Sequence, residues 1–230
     1  MPRISALIDG TRAIGGTVAP CTLELPVWIE LLALDSDAEF LIEGFAYGFE
    51  LKYVPPVCEF YVVGNYVPVE LAGRVTAQIA HERTMGRIVA AVRGIVGISA
   101  MGAVLKGMGP KVRVVHDYAR PTGCSVNSGI VLRRERFARV SDAASMLRPD
   151  AYHCKVDITE AYRNFPMAPV WWTRHVFEWG GVVYSDLRMP FGNSGAPSAF
   201  HRFSMAFTRL IQSRGFPGII SYLDDFWLTA

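Results

Sequence analysis

Two short apolar runs, Gly218 to Tyr222 and Phe226 to Thr229, meet at the pair Asp224–Asp225. Both runs read as strands. Adjacent carboxylates at the bend between them cannot enter a core, because burying an unpaired charge is prohibitive. The chain must therefore fold so that one hairpin end holds concentrated negative charge. Aspartate also favours turns for local reasons, so simple turn chemistry stands beside function as a reading of this pair. A third acidic residue, Asp157, lies in another strand candidate, Cys154 to Ile158. Carboxylates at the ends of neighbouring strands supply the oxygen ligands that hard cations such as Mg2+ prefer. Two such ions about 3.5–4 Å apart can clamp the attacking and leaving oxygens of a phosphoryl transfer.

The pieces around these acids are legible. Trp179-Gly-Gly181 separates His175–Glu178 from Val182–Asp186 and predicts a hairpin. Pro197 to Arg214 predicts a helix, with Pro197 in its first turn, Phe200, Phe203, Phe207 and Ile211 on one face, and Gly215 ending it. Upstream, Glu70 to Ala80 reads as a helix and Lys111 to Asp117 as a strand that alternates basic and apolar residues. Ser141 followed by Asp142 reads as a helix N-cap. Trp28 to Leu34 fits a short helix or a strand equally. No chemistry is apparent in residues 1–65.

Half of the residues are hydrophobic (51%), enough for a buried core. The balance of 23 basic against 21 acidic residues excludes a strongly cationic coat but leaves local basic patches open. The longest uncharged apolar run, Gly94 to Leu105, has 12 residues. A membrane span needs about 20, so no membrane partner is expected. Arg3, Asp9 and Arg12 stand where a signal peptide needs apolar residues. Cys21, Cys58, Cys124 and Cys154 are scattered without a CxxC pair. Both observations point to a reduced, intracellular, non-secreted setting. Arg133, Arg134, Arg136 and Arg139 form a basic run that suits either template phosphates or a solvated helix face. His116, His175 and His201 read as structural, and Trp171-Trp172 as packing.

Tyr222-Leu-Asp-Asp225 is a weak pattern alone, but three further segments precede it in order. These are Lys111-Val-Arg-Val-Val-His-Asp-Tyr118 with Ser125-Val-Asn127, then Lys155-Val-Asp-Ile-Thr-Glu-Ala-Tyr-Arg163, then Met189-Pro-Phe-Gly-Asn-Ser-Gly-Ala-Pro-Ser-Ala-Phe200. Together with Ser221 to Phe226 they resemble, over residues 85–230, the fingers strand and the three palm motifs of the reverse transcriptases of retrotransposons. Gly86-Arg-Ile88, Ile98-Ser-Ala-Met-Gly102 and Asn127-Ser-Gly129 lean towards the DIRS type.

The resemblance implies an α+β fold, with right-hand fingers and an antiparallel palm sheet backed by helices. Its expected layout is an N-terminal extension (1–65), a fingers-like region (66–150) and a partial palm (151–230), fingers and palm interleaved. It implies an RNA-directed DNA polymerase that uses two Mg2+, with Mn2+ as a possible substitute, an RNA or DNA template with its primer, and dNTPs. Asp157 and Asp224 match the metal-binding aspartates, Asp225 the third, and the carbonyl of Ile158 joins the metal shell. Arg113 and Lys111 match basic fingers positions that meet the triphosphate. Tyr162 matches the ring that excludes a ribose 2′-hydroxyl. Gly192 permits close backbone approach to the nucleotide, and Phe191 is apolar, as is usual in retrotransposon enzymes. The chain stops five residues after Asp225. A thumb is therefore expected to be absent, and the expectation is a fragment with little activity alone, within a polyprotein or dimer context left open. A non-catalytic nucleic-acid-binding remnant is the alternative, and an RNA-templated RNA polymerase a further one against which Tyr162 speaks.

Overall fold

The computed structural model describes residues 24–54, 59–61, 64–91, 93–105, 107, 109 and 111–230. Arg3, Asp9, Arg12, Cys21 and Cys58 lie outside the described residues. The helices are α1 (Leu25–Leu31), α2 (Ala38–Tyr47), α3 (Ala72–Thr84), α4 (Val126–Gly129), α5 (Val140–Ala144), α6 (Pro169–Trp172) and α7 (Ala196–Ser213). The strands are β1 (Phe60–Tyr61), β2 (Ile88–Ala90), β3 (Gly97–Ile98), β4 (Met101–Leu105), β5 (Val112–His116), β6 (His153–Asp157), β7 (Val176–Trp179), β8 (Val182–Asp186), β9 (Ile219–Tyr222) and β10 (Asp225–Thr229).

The sheet that matters for the site is antiparallel, in the order β6-β10-β9. Helix α7 lies on one of its faces. Pro197 starts the helix, and its apolar stripe buries Ala199, Phe200, Phe203 and Ala206. Phe207 meets Phe226 of β10 edge-on, at 5.1 Å between ring centroids. On the far side of α7, helices α1 and α2 close the core. Trp28 packs on Phe203, and Phe49 stacks on Phe165 at 4.5 Å. The backbone of Phe49 is stitched in as well, donating to Pro166 O and accepting from Ala168 N. Residues 25–53 thus supply much of the main core. Trp28 resolves as helix, because its segment buries Ile29 and Leu32 against α2.

A second core sits under α3. Its Leu71, Val75 and Ile79 recur every fourth residue and cover Ile88, Met101, Val112, Phe177 and Tyr184 from two sheets. Strands β7 and β8 form the expected hairpin, with Gly180 and Gly181 both at positive φ. A buried ion network joins the two cores. Arg163, in the 3-10 turn Ala161–Asn164, bonds Asp186 Oδ2 at 2.7 Å and Glu82 Oε2 at 2.7 Å. Arg87 adds contacts to Glu82 (3.6 Å) and Glu160 (2.7 Å).

Three sequence readings need correction. The cap of α5 is Arg139 rather than Ser141, and its backbone N–H donates to Asp142 Oδ2 (2.8 Å). Residues 131–139 are irregular, so the arginine run there is not a helix face. Cys124 is disulfide-bonded, whereas Cys154 is free and exposed. Sequence spacing carried no sign of that pairing. Trp171 is buried packing, as expected.

His116, Tyr118, His175 and Trp171 form a buried stack with centroid spacings of 5.1–5.2 Å. Asn193 Oδ1 accepts from Gly195 N–H, so its amide nitrogen donates to His175 Nε2 at 2.9 Å. Burial, then the nearby Arg163, drives the His116 pKa down to about 3. Burial likewise holds His175 well below its ordinary value. Both rings are neutral in the fold but take up protons once unfolded, so stability is full above pH 6.5 and falls as pH drops from there towards 3. Urea denaturation should show a loss of up to about 1.4 kcal/mol per pH unit for each histidine. His116→Phe keeps a ring in the stack and should remove about one proton's share of that slope.

Candidate active site

The reciprocal hydrogen bonds between Tyr152 and Ala230 set the phase of the β6–β10 ladder. Counting inward, Asp157 and Asp225 face each other as a non-hydrogen-bonded pair. In such pairs the side chains share a face and approach closely, and like charges placed so are destabilising. Phe226 points the other way, into α7. The face with Asp157 and Asp225 therefore looks away from the helix, together with Lys155, His153, Trp227 and Tyr222.

Asp224 sits in the two-residue turn between β9 and β10. Leu223 before it is left-handed, at φ 51°, a conformation that a bulky residue adopts only under constraint. Two contacts supply that constraint. Leu223 packs on the main core, and the Ser204 hydroxyl of α7 donates to its carbonyl at 2.6 Å. The Asp224 carbonyl then accepts from Ile158 N–H (3.1 Å), which ties the turn to the loop after Asp157. That loop carries its own left-handed residue, Glu160 (φ 54°), whose side chain is held by Arg87.

Tyr162 follows in the 3-10 turn, with its ring against Phe191 (5.3 Å) and Phe200 (5.5 Å). Burial, then the negative charge of Asp224, pushes its pKa up to about 12, so the phenol stays neutral. Arg113 lies over the Phe191 ring, 4.8 Å from its centroid. Lys111, two residues earlier, lines the same cavity of about 170 Å³ with Arg113, Phe191, Thr159 and Glu160. The fold thus chains Arg113, Phe191 and Tyr162 side by side, with Asp224 near enough to act on Tyr162.

Gly192 has a structural reason to be glycine. Its φ is 109°, and a Cβ there would lie 2.0 Å from the His116 carbonyl oxygen. The close approach is to strand β5, where His116 N–H also donates to Phe191 O (3.0 Å). Asn127 completes the clamp. Its side-chain amide donates to Gly192 O, and its side-chain oxygen accepts from Ser194 N–H, each at 2.9 Å. Asn127 was legible only as part of a motif. Ser204, Glu160 and Arg163 gave no separate signal, because their roles depend on elements distant in sequence.

The donor chemistry of Asp157, Asp224, Asp225 and the Ile158 carbonyl is all hard oxygen, which fits a divalent cation such as Mg2+. The side chains are not drawn round one point. Among the described residues no group of three His, Cys, Asp or Glu is close enough to hold a metal. Asp225 is instead engaged by Lys155 (Nζ to Oδ1, 2.9 Å). The hydrogen bond and charge of Asp225, with Asp157 and Asp224 behind it, raise the Lys155 pKa, so the ammonium stays charged.

No family model and no curated protein matches the chain by sequence. Solved structures do match its fold. The native prototype foamy virus protease–reverse transcriptase superposes with a TM-score of 0.57 at 19% identity, over 76% of this chain and 21% of that one. A foamy viral protease–reverse transcriptase form labelled dRH, in complex with double-stranded DNA, gives 0.64 at 17% identity, over 91% and 39%. A further complex with double-stranded DNA gives 0.59 at 16%, over 90% and 46%. The chain therefore spans less than half the length of these structures. It has the α+β fingers–palm fold of reverse transcriptases. Among the described residues no helix is long and apolar enough to cross a membrane.

Ser204→Ala leaves the Leu223 carbonyl without its donor. Stability should fall by about 1–3 kcal/mol in urea titration, and the amides of the Asp224 turn should exchange faster with solvent.

Proposed function

We propose that the chain is the fingers and part of the palm of a retroelement RNA-directed DNA polymerase, which joins a dNTP to the 3′-hydroxyl of a primer. One observation carries this reading: Asp157, Asp224 and Asp225 share one end of a sheet, beside a row formed by Tyr162, Phe191 and Arg113. The segments quoted above support the retrotransposon class, with the DIRS type as its narrower form. Asp157 and Asp224 would hold divalent cations, with Asp225 and the Ile158 carbonyl contributing. Bound there, such ions would sharpen the attacking oxygen and offset charge on the leaving phosphate.

The protein's own groups do the rest. Arg113 offers a planar guanidinium to the triphosphate, and Lys111 offers a point charge. Stacking on Phe191 aims Arg113 before a nucleotide arrives. Tyr162 presents a neutral ring packed against Phe191 and Phe200, which would meet the sugar of a bound nucleotide. A 2′-hydroxyl meeting that ring is rejected by overlap. The DNA partners of the structural neighbours agree with a primer–template as the ligand.

The Lys155–Asp225 ion pair favours a second reading, in which the carboxylate end is closed and the chain binds nucleic acid without chemistry. Primer extension on an RNA template with Mg2+ and dNTPs separates the two. Asp224→Asn should lower extension by at least about 100-fold, and Tyr162→Ala should raise ribonucleotide use about tenfold or more. Extension that survives Asp224→Asn overturns the polymerase reading, and nucleic-acid binding unchanged by Asp157→Asn, Asp224→Asn or removal of Mg2+ favours the second.

A further inference from the structure

The open face of the β6–β10–β9 sheet contains an unusual arrangement. Asp157 and Asp225 are cross-strand partners, and Asp224 sits beside them in the turn. Three carboxylates at one sheet end repel one another in water, and most strongly between the directly opposed pair. Among the described residues, the ion pair that reaches them is Lys155 to Asp225. Lys155 is the residue two before Asp157, so both side chains share the face, and the alternation of the strand fixes this.

Its direction is also set. Lys155 lies opposite Trp227, with Asp225 and Thr229 as its two diagonal neighbours on β10. The Trp227 ring leans the other way, towards His153, with centroids 5.5 Å apart and Nε1 donating to His153 Nδ1 at 3.3 Å. Both diagonals run in the same sense across the two strands. Trp227 and His153 thus fill the far diagonal, which leaves the ammonium the path towards Asp225.

We propose that Lys155 is a built-in counter-ion of the carboxylate end, which holds the three acids together without a divalent cation and must release Asp225 before one is gathered. This rests on the reading that these carboxylates bind a cation. The ammonium is tethered four carbons from the backbone and bonds one carboxylate oxygen. A divalent cation carries twice the charge and takes several oxygens at once. The two compete for Asp225, so Lys155 raises the cation concentration at which the acids close on the ion.

The test uses Mn2+ as the probe, with binding followed by electron paramagnetic resonance of the free ion in the absence of nucleotide. Lys155→Met keeps the stem and removes the charge. A unit charge several ångströms from a divalent ion in water shifts its binding about tenfold. Lys155→Met should therefore bind Mn2+ about tenfold more tightly, and Lys155→Arg should stay near the parent chain. In EDTA, Lys155→Met should unfold at lower urea than the parent, and adding Asp225→Asn should erase that difference. Equal or weaker Mn2+ binding by Lys155→Met overturns the counter-ion role while leaving the cation reading intact. Absence of Mn2+ binding by both chains overturns the cation reading and this inference with it. Lys155 is largely exposed on an edge strand, so these variants test charge rather than folding.

Discussion

The guanidinium of Arg163, buried between Glu82 and Asp186, is the interaction on which the rest of the arrangement depends. It joins the end of α3, the turn that follows Asp157, and the last residue of β8. Such a charge persists in a core only when its donors are nearly all used. Here Nη1 bonds Asp186, while Nη2 and Nε bond Glu82. Burial raises the Glu82 pKa, but Arg163, with Arg87, more than offsets this, so the carboxyl ends below its ordinary value and stays charged. Breaking one partner would leave an uncompensated charge between two hydrophobic clusters. Helix α3 and the turn after Asp157 are therefore locked to each other by electrostatics and not only by packing.

That lock positions the site indirectly. With Arg163 fixed, the preceding residues have little freedom. Glu160 is held left-handed by Arg87, Tyr162 is pressed against Phe191 and Phe200, and Asp157 emerges at the sheet end. From the other side, Ser204 fixes the Leu223 carbonyl and so presents Asp224. Two strained turns, each held by polar contacts from neighbouring elements, bring the acids to a common end. Pre-organisation of this kind is what the proposed cation and nucleotide site would require.

Much of this was legible in the residues. Gly180-Gly181 announced a hairpin because both positions need positive φ. The phenylalanines of α7 announced its buried face. The acids were legible because apolar runs on both sides left them no place in a core. Other features depend on partners far away in sequence. The pairing of Asp157 with Asp225 is a register between strands 68 positions apart. The left-handed Glu160 and Leu223 follow from contacts with Arg87 and Ser204, and neither residue type favours that conformation. Gly192 was marked as important, and its room for the chain itself, at His116, was not legible. Residues 25–53 offered no motif because packing aromatic rings requires none.

Strand β6 lies at the edge of its sheet, exposed on both faces. In the ladder phase fixed by Tyr152 and Ala230, the amides of Cys154, Val156 and Ile158 turn inward to β10, while those of His153, Lys155 and Asp157 turn outward to water. Among the described residues, the strand that carries Asp157 is thus held by one seam of alternate hydrogen bonds with no layer over it. Its open side turns backbone donors and acceptors away from the sheet, the kind of edge to which another extended chain can be added. Such a strand gives way locally before the body of the fold does. The carboxylate with the most demanding position rides on one of the most easily loosened pieces of backbone, and whatever lies along that open edge would also steady the acid at its tip.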